Sequence, residues 1–263
     1  MGKSHFVLIH GINYGAWCWY KVSSLLKSAG HDVTSLDMAA SGINPIQVQD
    51  ISSILEYIEP LMKFMESLPS DEKVILVGHS FGGIYISMAM ERFPHKISVA
   101  VFVTAFVLTE NLTHPDIIQE FRRRRDGEEN WSMDSKNFFF DGPNNPPTAL
   151  LFGPKFMESK MYQLSPPEDL TLALSLVRPF PLFRDKELFL KEMKVSMEKN
   201  GRVPKIFIIC KGDNMIKEES QRWIIEKSGP FVEVNEINDS DHMVMFSKPK
   251  ELTSLLQQFA DKY

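Results

Sequence analysis

The run Val74-Ile75-Leu76-Val77-Gly78-His79-Ser80-Phe81-Gly82 constrains this chain more than any other segment. Four consecutive apolar residues predict a strand buried on both faces, as in a parallel sheet. Gly82 to Phe93 reads as a helix, with Pro94 just beyond its end. Between strand and helix lies G-x-S-x-G, the spacing of a nucleophile elbow. The turn is too tight for bulk beside the serine, hence glycine at 78 and 82. It lifts the Ser80 hydroxyl above the strand end. It also points the Phe81 N–H, at the helix N-terminus, toward any anion bound there.

The rest of the chain alternates in the same way. Phe6–His10, Asp32–Leu36, Ser98–Phe106, Lys205–Cys210 and Phe231–Ile237 are predicted strands. Gln47–Leu68, interrupted at Pro60, and Glu251–Tyr263 are amphipathic and predicted helical. Such alternation implies an α/β fold with a mostly parallel central sheet and helices on both faces. Residues 108–189 break the pattern, being rich in proline and in large apolar side chains such as Trp131, Phe138 and Phe152. We expect a cap insertion there, within a single domain spanning 1–263. Four arginines, Arg122 to Arg125, are expected on a solvated helix face balanced by Asp126, Glu128 and Glu129 rather than at an anion site.

Composition removes several function classes. Lysine plus arginine total 29 against 34 aspartate plus glutamate, a net charge of −5, which argues against a nucleic-acid partner. No apolar run approaches the roughly 20 residues that cross a bilayer, so no membrane partner is expected. The first residues lack a secretory core and Phe6 breaks a myristoylation pattern, so a cytoplasmic location is expected. Cys18 and Cys210 are too few for a disulfide framework. The seven histidines show no H-x-H, H-x-x-H or H-E-x-x-H spacing, and no G-x-G-x-x-G follows a strand. Neither a metal nor a dinucleotide cofactor is therefore expected.

A serine hydroxyl is a weak nucleophile at neutral pH and needs a base. On a sheet of this kind the order is Ser, acid, His, which favours His242 in the polar segment between the last strand and the last helix. The acid that fixes the imidazole is expected to be Asp213, in the turn after Lys205–Cys210. Asp239 and Asp241 are rivals, but a side chain so near in sequence rarely points at the same ring. An oxyanion needs two donors. Phe81 N–H is one, and Ile12 N–H, after Gly11 in the loop following the first strand, is the other. His10 ends that strand and is expected to organise the loop.

At this point the chain resembles the plant methylesterases of the α/β-hydrolase superfamily, a family that includes methyl salicylate and methyl jasmonate esterases and polyneuridine aldehyde esterase. The resemblance rests on His5 to Tyr20 with Gly15-Ala16-Trp17, on Ala39-Ala40-Ser41-Gly42, on Asp71 to Gly83, on Gly153-Pro154-Lys155-Phe156 and on Asp241-His242-Met243. It implies a cofactor-free serine esterase with Ser80, Asp213 and His242 as triad and a helical cap over an apolar pocket. Trp131, Phe138, Phe152 and Leu182 are the pocket candidates, joined by Gly11, His79 and Met243 beside the triad. The implied partner is a small-molecule ester; a homodimer stays open.

Two relatives of that family do other chemistry. Hydroxynitrile lyases resemble a pattern with threonine and lysine where this chain has Gly11 and Met243. Methionine cannot hold the positive charge a departing cyanide needs, so both positions favour hydrolysis. Methylketone synthases resemble the Gly142-to-Pro147 stretch but lack the serine and the triad acid, and both are present here. A lyase or decarboxylase, or a small-molecule receptor on the same fold, are the alternatives. A β-keto or alkaloid ester, whose acid then loses carbon dioxide, is a variant of the esterase reading.

Overall fold

The computed structural model describes residues 2–125 and 130–263. Asp126, Glu128 and Glu129 lie outside the described residues. Six parallel strands form the central sheet: β1 (His5–Ile9), β2 (Asp32–Leu36), β3 (Val74–His79), β4 (Ile97–Val103), and, after a long insertion, β8 (Lys205–Cys210) and β9 (Glu233–Ile237). Their order is β2-β1-β3-β4-β8-β9. Alternate residues feed two cores, one on each face. Val7, Ile9, Leu76, Phe102 and Phe207 face one core; Phe6, Leu8, Val77, Val101 and Ile208 face the other. The period-2 alternation of strand side chains splits each apolar run in this way.

Helices cover both faces: α1 (Tyr20–Ser28), α2 (Ile54–Tyr57), α3 (Glu59–Ser67), α4 (Gly82–Arg92), and later α9 (Glu218–Ser228), α10 (Val244–Ser247) and α11 (Pro249–Lys262). The predicted helix over 47–68 is in fact three pieces: a 3₁₀ turn at Val48–Asp50, then α2 and α3. Ser53 caps α2 through its side chain. The second break falls at Ile58, just before Pro60, which sits in the first turn of α3 where its missing N–H costs nothing.

The chain leaves the sheet after β4 and returns at β8. The intervening residues form α5 (His114–Arg124), β5 (Lys136–Phe138), β6 (Ala149–Leu151), α6 (Pro154–Lys160), α7 (Pro167–Leu176), β7 (Phe180–Pro181) and α8 (Lys186–Glu192). The antiparallel order β5-β6-β7 adds a small sheet to the helices that the resemblance implies for this segment. Strands of two or three residues are too short to show alternation in sequence. On α5, Arg123 and Arg124 both pair with Glu120. Arg125 lies over the Trp131 ring at 4.5 Å.

Asn13 fastens the insertion to the loop after β1. Its Nδ2 donates to Leu150 O and Arg178 O, its Oδ1 accepts from Phe152 N, and its carbonyl accepts from Arg178 N. A second tie joins α1 to α7, where Tyr20 and Lys21 both reach the buried Asp169 carboxylate.

β1 is followed by β2 on one side and β3 on the other. The strand order therefore reverses at β1, and the crevice at the carboxyl ends of β1 and β3 is where an open α/β sheet binds ligands. The loop after β1 and the turn after β3 both open into it.

Candidate active site

Ser80 occupies the turn between β3 and α4 with φ +55, the left-handed conformation that side chains rarely adopt. The elbow is held by backbone bonds from Ser80 N to Val103 O and from Phe106 N to Ser80 O. A side chain at Gly82 would come within 2.7 Å of the His10 carbonyl. One at Gly78 would meet the Gly82 carbonyl at 2.8 Å. The glycine spacing thus follows from the closeness of β1, β3 and α4.

Three strand ends deliver the rest of the site. His242 lies between β9 and α10, and its Nε2 is 3.0 Å from Ser80 Oγ. Its Nδ1 is 2.7 Å from Asp213 Oδ2, in the turn after β8. With the proton on Nδ1, the imidazole donates to the carboxylate and accepts from the serine hydroxyl. Asp213 is fully occupied: Oδ2 also accepts from Thr104 Oγ1 at 2.5 Å, and Oδ1 from the N–H groups of Met215 and Ile216. Four donors fix both oxygens, so the carboxylate cannot rotate without breaking a bond.

The rivals point elsewhere. Asp241 Oδ2 accepts from Leu164 N and Ser165 Oγ, and Asp239 is exposed. Ser240 to His242, expected in a polar loop, are completely buried beneath the insertion.

His10 and His79 frame the site as neutral imidazoles. Burial pushes both below the usual histidine range. His10 donates from Nδ1 to Gly11 O and accepts at Nε2 from Met38 N. It thus locks the loop that carries Ile12. His79 donates from Nε2 to the backbone carbonyl of His242 at 2.7 Å, and the two rings lie 4.7 Å apart. Among the described residues, neither Phe81 N–H nor Ile12 N–H has a hydrogen-bond acceptor. Both residues border the cavity over Ser80, a space of about 30 Å³.

Gly11, His79 and Phe152 line that same cavity. Ile12 and Phe81 also border a larger apolar groove of about 430 Å³, which Leu182 lines. Trp131, Phe138 and Met243 line neither space. Trp131 is packed between Phe121 and Phe156, with Lys160 and Arg125 over its ring. Phe138 stacks on Phe140, and Met243 is buried in the core. Sequence reasoning missed Tyr14, Phe106, Met161 and Met215 on the cavity wall. It also missed Thr104, a polar residue directly after an apolar strand.

Among the described residues no group of three or more His, Cys, Asp or Glu side chains converges as a metal site. Among them, too, no helix is long and apolar enough to cross a membrane.

Hydroxyl, imidazole and carboxylate thus lie in one hydrogen-bonded line, beside two cavity-bordering residues whose N–H groups have no acceptor among the described residues. Comparison with known proteins shows the family of the chain. The "Alpha/beta hydrolase family" model matches residues 6–255. Methyl jasmonate esterase 1 of Vitis vinifera is 53% identical, covering 99% of this chain and 98% of its own. Methylesterase 1 of Arabidopsis thaliana is 47% identical, over 99% and 97%. Tomato methylketone synthase I, solved in complex with 2-tridecanone, superposes with TM-score 0.92 and 45% identity over all of both chains. The chain belongs to the plant methylesterase family of the α/β-hydrolases.

Proposed function

We propose that this chain hydrolyses methyl esters of small apolar plant acids through an acyl-enzyme on Ser80. Ser80 Oγ attacks the ester carbonyl while His242 Nε2 takes its proton. Asp213 holds the Nδ1–H and stabilises the imidazolium that forms. The N–H groups of Phe81 and Ile12 receive the oxyanion, and each such donor contributes ~3–4 kcal/mol to transition-state stabilisation. His242 returns the proton to the departing methanol. It then deprotonates a water that attacks the acyl carbonyl, and the acid leaves. Gly11, His79, Phe152 and Leu182 border the spaces the substrate would occupy.

The observation that carries this reading is the continuous bond chain from Ser80 through His242 to Asp213, beside two N–H donors without acceptors among the described residues. The apolar groove next to it suits the acyl group, and the identity to the methyl jasmonate esterase suggests methanol as the leaving group. Brief reaction with an activated ester such as p-nitrophenyl acetate, quenched in acid, should leave one acyl group on the peptide containing Ser80. An unmodified serine under turnover would contradict the mechanism.

The likeness to methylketone synthase I favours one second reading, decarboxylation of a β-keto acid in the same cavity without an acyl-enzyme. Loss of carbon dioxide from a β-keto acid that persists in Ser80→Ala would support it.

A further inference from the structure

We propose that His114 determines substrate choice by reading a neutral oxygen, a carbonyl or hydroxyl, carried on the acyl chain away from the ester itself. The proposal rests on the hydrolase reading above and names a feature of its substrate. His114 lines the 430 Å³ groove but not the cavity over Ser80, so the oxygen it meets is not the ester's own. The groove is otherwise apolar, walled by Leu150, Phe180, Leu182, Phe183 and Phe189, with Lys186 exposed to solvent.

The imidazole is held in place. It opens α5, whose first turn is fixed by Thr113 donating from both N and Oγ1 to Asp116 Oδ2. Its ring meets Phe81 edge-on at 5.9 Å and Phe189 at 5.1 Å. Yet neither ring nitrogen is hydrogen-bonded to any described residue. A polar group among aromatic walls is costly unless something pairs with it. A ligand that enters this groove displaces the water that would otherwise do so. Burial, with Arg122 nearby, lowers the His114 pKa to about 4. At neutral pH it therefore offers one N–H and one lone pair, which match a ketone or an alcohol rather than a carboxylate.

Methyl decanoate and a series of methyl decanoates bearing one ketone at successive chain positions test this. One keto position distal to the ester should raise kcat/KM over methyl decanoate by about five- to tenfold, the worth of one hydrogen bond. His114→Phe, which keeps the ring contacts, should abolish that ratio. His114→Gln should retain part of it, and Lys186→Met should leave the ratio intact. A ratio that survives His114→Phe, or no favoured keto position at all, would overturn the proposal. The same esters are titrated against Ser80→Ala by calorimetry. That comparison reads the His114 preference even if turnover is absent, so failure of the hydrolase reading and failure of this inference are told apart.

Discussion

His79 donates a 2.7 Å hydrogen bond from Nε2 to the main-chain carbonyl of His242, across 163 residues of sequence. The residue beside Ser80 thus positions the backbone of His242. Burial below the usual histidine range keeps His79 neutral, so it neither competes for the serine proton nor repels a protonated His242.

Replacing His79 by Phe keeps the bulk and deletes the donor. We expect kcat to fall about ten- to hundredfold with little change in KM, because small misplacements of a catalytic base are costly. His79→Gln, which retains a donor, should recover part of the loss. Equal effects of Phe and Gln on kcat would mean that packing, not the hydrogen bond, is what matters.

Thr104→Val removes one of four donors from the Asp213 carboxylate while preserving shape. Leaving a buried charged acceptor short of a partner costs about 1–3 kcal/mol. We expect an unfolding free energy lower by that amount, read as a lower urea midpoint at unchanged m, and a several-fold drop in kcat. An unchanged midpoint would show that water replaces the hydroxyl.

Lys205 is buried at the start of β8, where Nζ donates to Ser228 O, and burial lowers its pKa to about 8 from 10.5. Between these values the unfolded chain binds more protons than the native one, so this lysine makes stability rise with pH from about 8 to 10.5. Below that window it is charged in both states and its desolvation penalty is fully present. Lys205→Met should therefore show its greatest relative stability at neutral pH, and its advantage over the parent protein should shrink as pH rises through the window. Parallel curves in chemical denaturation from pH 7 to 10.5 would contradict the assignment.

The residues that made the site legible in sequence are those with strict local requirements. Gly78 and Gly82 announce Ser80 because a tight strand-to-helix turn admits nothing larger. The chain order then led to Asp213 and His242, which the structure brings into one hydrogen-bonded line. Trp131 and Phe138 are pocket candidates through the family resemblance alone, and here their rings serve packing instead. Thr104 acts on a carboxylate far away in sequence, so no local pattern marks it; His79 stands beside the serine in sequence, but its bond to the His242 carbonyl is visible only in the structure. The strands β5 to β7 exist because the insertion folds on itself, which two- or three-residue segments cannot signal. β4 stops at Val103 rather than running to Phe106 because Thr104 takes a left-handed φ of +39 beside Asp213.

The most direct test of the central claim is methanol release from a panel of methyl esters, comprising salicylate, jasmonate, indole-acetate and a β-keto ester, with Ser80→Ala measured alongside. We predict turnover of at least one ester by the parent protein and, in the variant, its loss by several orders of magnitude with ligand binding retained. Methanol release that persists in folded Ser80→Ala would contradict the account.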